Sequence, residues 1–486
     1  MAYEAVIGLE CHIQLGTRSK MFCECPAEFG AAANANVCPV CLGLPGALPV
    51  TNRAAIDSAL RLGLALGCTV REESVFARKN YFYPDMPKNY QITQYDRPLC
   101  EGGALPAEAG AARAFPLIRI HVEEDTGKSF HPERHGDRRI SRVEFNRAGV
   151  PLLELVTEPA FRTPSECTAF LTALRRLVRW LGISGGDMEK GQLRCDANVS
   201  VREAGATALG TKTELKNLNS IKGVEKGVTV EIARQRELLA AGERVTQATL
   251  LYDADHDKLA VMRSKELAHD YRYFPEPDLP LLRVDAAWIA TARAALPELP
   301  WARATRFAAL GLPEYDAGVL TEDRETADYF EELTGAGVAP KLASNWVMTE
   351  ALRHVRAQGI TLREWRHRVP PAALAQLLGE IGANRITAAS AKSVLEEMAA
   401  AATPLDPLDV IAKRGLAAIG SADDLLPLVR AVLDEHPGPL AQFLAGKTAT
   451  LGFLVGQVMK KSGGQAVPQT VQELLKREIA ARQTTG

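Results

Sequence analysis

In Ile7-Gly-Leu-Glu-Cys-His-Ile-Gln-Leu15 every second residue is apolar: Ile7, Leu9, Cys11, Ile13 and Leu15. That period is the period of a β-strand, whose side chains alternate between faces, and it leaves Glu10, His12 and Gln14 together on the other face. The pattern recurs in Ile118-Arg-Ile-His-Val-Glu123, where Arg119, His121 and Glu123 stand opposite Ile118, Ile120 and Val122. It recurs again over 193–202, where Arg194, Asp196, Asn198, Ser200 and Arg202 alternate with the apolar set. Between these two strands, Thr163-Pro-Ser-Glu166 is a capping box with proline at the first helical position, and it predicts a helix ending at Gly182. The stretch up to about Val284 is therefore β-rich with interspersed helices.

After Leu281 the period changes. From about Ala286 onward, alanine and leucine fall at helical spacing, broken by Pro and Gly. Pro297-Glu-Leu-Pro300 marks a junction, and Thr403-Pro-Leu-Asp-Pro407 marks a second break. The fold class that follows is α+β: a β-rich body over 1–293, an all-α domain over 294–405 and a small all-α tail over 406–486. A chain of 486 residues is long enough for such a division. The formal net charge of −2 decides nothing about nucleic acid, so an RNA partner would need a local basic surface. The tail offers one in Lys447, Lys460, Lys461, Lys476, Arg477 and Arg482, set against Glu473 and Glu478. A solvated helix face explains the same charges. No apolar run spans a bilayer, so no membrane partner is expected. The N-terminus enters a strand pattern at once and is not a signal peptide, which makes cytoplasmic residence the expectation. The nine cysteines are then thiols or metal ligands rather than disulfides.

Four of those cysteines are clustered. Cys23-Glu-Cys25 and Cys38-Pro-Val-Cys41 are two close pairs separated by a loop, and four thiolates can close around a tetrahedral Zn²⁺. An ion closed in this way is structural. The polar strand faces are the second constellation. Glu10 and His12 share one; Glu123, Glu124 and Asp125 end another; Asp196 and Asn198 share a third; Lys212, Glu214 and Lys216 share a fourth. If these strands are neighbours, their carboxylates form an oxygen-rich surface suited to Mg²⁺ and the phosphates it carries, with the lysines on phosphate oxygens. If not, they are solvated sheet faces. The loop Asn80-Tyr-Phe-Tyr-Pro-Asp-Met-Pro-Lys-Asn-Tyr-Gln-Ile-Thr-Gln-Tyr-Asp96 is rich in tyrosine, proline and amides and reads as a rigid surface loop or as a site wall. Arg263–Asp278 has the same character. Gly127-Lys-Ser129 and Gly446-Lys-Thr448 lack the upstream glycine of a P-loop, since Val122 and Ala441 stand there. Gly182-Ile-Ser-Gly-Gly186 follows a helix, not the strand that a nucleophile elbow requires.

Long motifs in order complete the reading. They are 7–15, Pro39-Val-Cys-Leu-Gly-Leu-Pro-Gly46, the loop at 80–96, His121-Val-Glu-Glu-Asp-Thr-Gly-Lys128 and Phe145-Asn-Arg-Ala-Gly-Val-Pro-Leu-Leu-Glu154. Gly191–Ser200, Lys212–Ser220, His269–Asp278, Asn345-Trp-Val-Met348 and Gly452–Met459 follow. With these the chain resembles the B subunit of the bacterial aspartyl/glutamyl-tRNA amidotransferases, nearly end to end. The resemblance implies a cradle domain related to the glutamine synthetase fold, then the family's helical and tail domains. It implies a ligase that makes Gln-tRNA(Gln) and Asn-tRNA(Asn) from the misacylated forms, using ATP. It implies a Mg²⁺ and phosphoryl-transfer site at Glu10, His12, Glu123 or Glu124, Asp196 and Glu214. Lys79, Tyr81 and Lys88 become wall residues of the ATP site, and the four cysteines match the zinc-bearing members. Nothing in the chain resembles a glutaminase. Ammonia is thus expected from an amidase-type glutaminase, the family's A subunit, held with a small C subunit, and the tail is expected to contact tRNA. Two positions depart from the family's habit: Cys11, where valine is frequent, and Ala160, where an acid is common.

Overall fold

The alternation at the N-terminus becomes a twelve-residue strand, β1 (Tyr3–Gln14), with Leu9, Cys11 and Ile13 buried and Glu10, His12 and Gln14 half-buried. The computed structural model describes residues 2–106, 113–130, 140–264 and 271–484. It divides into two units, Met1–Thr305 and Arg306–Gly486. Residues 265–270, within the Arg263–Asp278 segment and including His269, lie outside the described residues.

After β1 the first unit continues with α1 (Arg53–Ala65), β2 (Ala77–Asn80), β3 (Tyr90–Thr93), β4 (Ala114–Glu124) and β5 (Pro151–Thr157). Then come α2 (Pro164–Trp180), β6 (Leu193–Glu203), β7 (Thr213–Lys216), α3 (Ile221–Ala240), β8 (Ala248–Asp253), β9 (Lys258–Ser264) and β10 (Phe274–Pro275). A ten-stranded sheet runs β9–β8–β7–β6–β1–β5–β4 and ends on the short strands Cys100–Glu101 and Thr69–Val70; Ala104–Pro106 pairs with β4 off this path. Within this sheet, among the described residues, only β7 and β8 pair in parallel. Strands β10, β2 and β3 form a second, three-stranded sheet.

Register makes the polar face. Glu10 stands opposite Asp196, and His12 opposite Arg194 on one side and Glu154 on the other. Glu154 in turn faces His121, and Asn198 faces Glu214. A slip of one residue in any of these pairings would send the charges into the core. The opposite face buries Ile7, Leu9, Ile13, Leu155 and Val199 against α1, α2 and α3 in one cluster. Phe115, Phe161 and Phe170 lock it: the first two stack at 4.5 Å, and Phe170 meets them edge-on at 5.9 and 5.3 Å. The capping box at Thr163 and Glu166 starts α2, whose last helical residue is Trp180.

The second unit is built of helices. Leu425, Val429, Leu454, Val458, Leu475 and Ile479 form a separate cluster joining Ala422–Glu435, Thr450–Lys461 and Pro468–Thr484. Among the described residues no helix is long and apolar enough to cross a membrane.

One buried polar network ties α3 to the sheet. The Glu231 carboxylate, fully buried, accepts hydrogen bonds from Thr213 Oγ1 at 2.6 Å, Gln235 Nε2 at 2.6 Å and both Nε and Nη2 of Arg234. Glu231→Ala leaves Thr213 and Gln235 without this acceptor, so it should destabilise the protein by roughly 2–4 kcal/mol. Urea unfolding followed by circular dichroism should show the shift; an unchanged midpoint would mean that α3 does not depend on this network.

Candidate active site

The centre of the polar face is Glu154 on β5. His12 Nε2 lies 3.5 Å and His121 Nε2 3.6 Å from its Oε2. Glu123 reaches the same two imidazoles, at 3.6 Å from His12 and 3.8 Å from His121, and Glu10 lies 3.8 Å from His12. Two overlapping triads result, Glu10–His12–Glu154 and His121–Glu123–Glu154, each with its potential ligand atoms within 4.8 Å of one another. On the β6–β7 side, Lys216 Nζ bonds Asp196 at 2.7 Å and lies 3.5 Å from Glu214. Thr249 donates to Glu214 at 2.9 Å. Thus the sheet brings together Glu10, His12, Glu123, Asp196 and Glu214 from four strands. Lys212 is exposed, one residue before β7.

The charges are coupled. Burial opposes charge on His12, but the carboxylates of Glu154, Glu123 and Glu10 outweigh it and raise its pKa to about 9. Burial would push the Glu154 carboxyl up; His121, His12 and Lys79 instead hold it well below the usual carboxylate range. Glu10 is pushed up by burial and by Glu154. The set is rich in carboxylate oxygens. The buried Oδ1 of Asn198, between Gly8 and Glu214, has no hydrogen-bond partner among the described residues. Such a donor set suits a hard divalent cation.

Glu124 is not part of this cluster. It projects from the other face of β4, where Lys88 Nζ contacts its Oε1 and the Ile92 amide donates to the same oxygen at 2.9 Å. Lys79 is on the cluster side: its ammonium lies over Tyr271 at 5.0 Å, and Tyr273, Glu123 and Glu154 outweigh burial to raise its pKa. Tyr81 sits beside it, its own pKa raised by burial against the pull of Lys79.

The four sulfurs of Cys23, Cys25, Cys38 and Cys41 lie within 4.8 Å of one another. Tetrahedral zinc thiolates would sit about 3.8 Å apart. The Cys38 amide donates to Cys41 Sγ at 3.2 Å, and the Lys20 ammonium lies 3.6 Å from it. A hydrogen bond from the Cys23 side chain lowers the Cys41 pKa to about 4, and the same bond pushes Cys23 up. Burial pushes Cys25 up to about 11. Held as thiolates at this separation the four would need a cation, and this cluster could hold a metal.

Glu154, the hub, was not singled out from the sequence, and His121 was placed on its polar strand face without a role. The signal for Glu154 was available: a single acid inside the apolar run Pro151-Leu-Leu-Glu-Leu-Val156. Arg194, bound to Asp125 at 2.6 Å, and Lys216 complete the rim. A cleft of about 990 Å³ lies elsewhere, lined by Arg18, Arg53, Arg61, Asp57 and Trp288. It contains none of these acids. Its Asp57 is held by the Trp288 indole N–H at 2.6 Å, so volume there is not accompanied by a comparable set of ligands.

A family model described as the GatB/GatE catalytic domain matches residues 5–290, and one described as the GatB domain matches 328–479. Proteins named as the B subunit of aspartyl/glutamyl-tRNA(Asn/Gln) amidotransferase are similar along their whole length. That of Pelodictyon phaeoclathratiforme is 48% identical over 481 residues, 99% of this chain and 100% of its own. That of Chlorobium chlorochromatii is 49% identical over 481 residues, with the same coverage. That of Solidesulfovibrio magneticus is 47% identical over 479 residues, 98% of this chain and 99% of its own.

The Lys88–Glu124 pair is buried, with side chains 7% and 3% exposed. Lys88→Met should therefore destabilise the protein by roughly 3 kcal/mol, because it strands a buried carboxylate. The double variant Lys88→Met/Glu124→Gln should recover most of the loss in a thermal double-mutant cycle. Additive effects would show that the two do not interact.

Proposed function

Since this chain belongs to the B-subunit family of the aspartyl/glutamyl-tRNA(Asn/Gln) amidotransferases, we propose that its polar sheet face is where a tRNA-borne carboxylate is activated and amidated. The chain is one part of a heteromeric ligase that carries out tRNA-dependent transamidation in translation. The observation that carries the site is the convergence of Glu10, His12, Glu123, Glu154 and Asp196, from four strands, on one face.

A carboxylate is a poor electrophile and oxide a poor leaving group; phosphate relieves both. In the proposed sequence a side-chain oxygen of Glu-tRNA(Gln) or Asp-tRNA(Asn) attacks the γ-phosphorus of ATP, and ADP departs. Ammonia then attacks the acyl carbon, loses a proton, and phosphate leaves with the bonding pair. Glu10, Glu123, Glu154, Asp196 and Glu214 are the residues that would hold Mg²⁺, joined by His12 once its ring has given up its proton; the ion would neutralise phosphate charge. Glu123 takes this role in preference to Glu124, which is engaged by Lys88 on the other face. Lys216 orients Asp196 and Glu214, and Lys79 offers positive charge to phosphate oxygens beside Tyr81. Lys212, exposed at the edge of the face, is an outer phosphate contact.

The same reading extends outward. The β-rich body over 1–293 would be a cradle of the glutamine synthetase type. The all-α parts over 294–405 and 406–486 would be a helical domain and a tRNA-contacting tail; the separate apolar cluster of the last helices supports that division. The proposed partners are the amidase-type glutaminase, or A subunit, which supplies ammonia, the small C subunit, and tRNA(Gln) or tRNA(Asn). Residence is in the cytoplasm. The cysteine cluster would hold structural Zn²⁺.

Transamidation by the assembled enzyme, with each misacylated tRNA in turn, tests the reading. Glu10→Gln, Glu154→Gln and Asp196→Asn should each lower the rate about 100-fold or more while tRNA binding is kept. Full activity in all three would remove the site assignment. ATP turnover on free glutamate without tRNA would point to a free-standing ligase, and salt-sensitive tRNA binding without nucleotide chemistry to an RNA-binding module. Elemental analysis should find about one zinc per chain, as a closed four-thiolate site holds one ion, and Cys38→Ser should lose it. Equal zinc in the variant would refute the cluster as ligand.

A further inference from the structure

Beside the acid cluster, five tyrosines form a continuous wall. Tyr95 and Tyr273 stack with centroids 4.2 Å apart and planes inclined by 8°. Tyr273 meets Tyr271 at 6.1 Å, Tyr271 meets Tyr81 at 6.4 Å, and Tyr81 meets Tyr83 at 5.9 Å. Yet Tyr95 is 42% exposed and Tyr83 47%. The wall is built rather than incidental. Arg272, between two of its members, has φ +46, a left-handed conformation that a bulky residue rarely adopts and that its surroundings must enforce. The Asn80 amide holds that turn by donating to the carbonyls of Tyr271 at 3.2 Å and Arg272 at 2.8 Å. The wall is also tied to the acids. Thr93 Oγ1 donates to Glu123 at 3.2 Å, and Tyr95 follows two residues later. At the other end, Phe274 pairs with Arg78, next to Lys79.

We propose that the Tyr95–Tyr273 stack receives the 3′-terminal nucleobase of the misacylated tRNA. The inference rests on the function proposed above and adds to it the subsite that positions the acyl group. Chemistry selects this occupant. The aminoacyl group is esterified to the terminal ribose, so its side-chain carboxylate and the terminal base are separated only by that sugar and a short amino acid. A carboxylate at Glu123 and Glu154 therefore carries its base to this neighbourhood. The base of ATP is farther from its reacting phosphorus, beyond a ribose and two phosphates. A flat ring pair whose Tyr95 member is exposed takes a further ring by stacking.

The test uses the assembled enzyme and tRNA carrying 2-aminopurine at its 3′-terminal position. Binding should quench the probe in the wild type and in Tyr95→Phe, and quenching should be lost in Tyr95→Leu and Tyr273→Leu. With ordinary misacylated tRNA the two leucine variants should raise KM for the tRNA roughly 5- to 50-fold, leaving kcat and KM for ATP unchanged. Tyr95 is exposed, so Tyr95→Leu should keep the wild-type melting temperature and decides the matter if Tyr273→Leu does not fold. Unaltered quenching and an unaltered tRNA KM in a transamidating Tyr95→Leu enzyme would overturn the proposal and leave the function standing. A raised KM for ATP alone would assign the wall to the nucleotide and equally overturn it. Absence of transamidation in the wild type would instead remove the function on which it rests.

Discussion

Glu154 is 6% exposed in the middle of a sheet, where an unpaired carboxylate would take up a proton rather than stay charged. Two imidazoles, one from each neighbouring strand, keep it ionised. His12 in turn needs acids to hold its charge, and Glu123 and Glu10 supply them beside Glu154. No member of this set can be understood from one strand. Each charge is tolerable only because register brings its partner opposite. The antiparallel pairing of β1 with β5 and of β5 with β4 is thus fixed twice, by the apolar face below and by the ion pairs above.

This explains what the sequence disclosed and what it withheld. Glu10, His12, Asp196 and Glu214 were legible because their strands alternate, and alternation assigns a face without any knowledge of neighbours. The helix at Thr163 and the change to helical spacing near Ala286 were legible for the same local reason. Glu154 was not, because β5 is buried on both faces and shows no alternation. Its importance comes from lying between β1 and β4, and strand order is a property of the sheet. The choice between Glu123 and Glu124 also needed structure. Strand β4 runs through both, so successive carboxylates project to opposite sides, one to the histidines and the other to Lys88. The zinc-type spacing of the cysteines was readable, but Lys20 was not. Its fully buried ammonium, bonded to the carbonyls of Asn36 and Phe145 and close to Cys41, is a consequence of how the loops meet.

That division of Glu123 and Glu124 joins two parts of the molecule that look independent. The cysteine loop reaches Gly43, which has φ +67, and a Cβ there would lie 2.4 Å from Lys88 Cγ. Only glycine permits that approach. Lys88 is consequently held between the loop and Glu124, with its ammonium 5.9 Å from the Phe22 ring centroid. Glu124 accepts the Ile92 amide as well, and its backbone carbonyl takes the Gln91 side chain at 2.7 Å, so the end of β4 is fixed on three counts. Glu123 is the preceding residue. The loop that carries the four cysteines thereby constrains, through one lysine and one carboxylate, the backbone that aims Glu123 at His12. A structural ion in that loop would act on the acid cluster without touching it, by narrowing the conformations open to Lys88. Loss of the ion would then be felt first as misdirection of Glu123, and only afterwards as unfolding of a body whose aliphatic and aromatic core lies on the other side of the sheet.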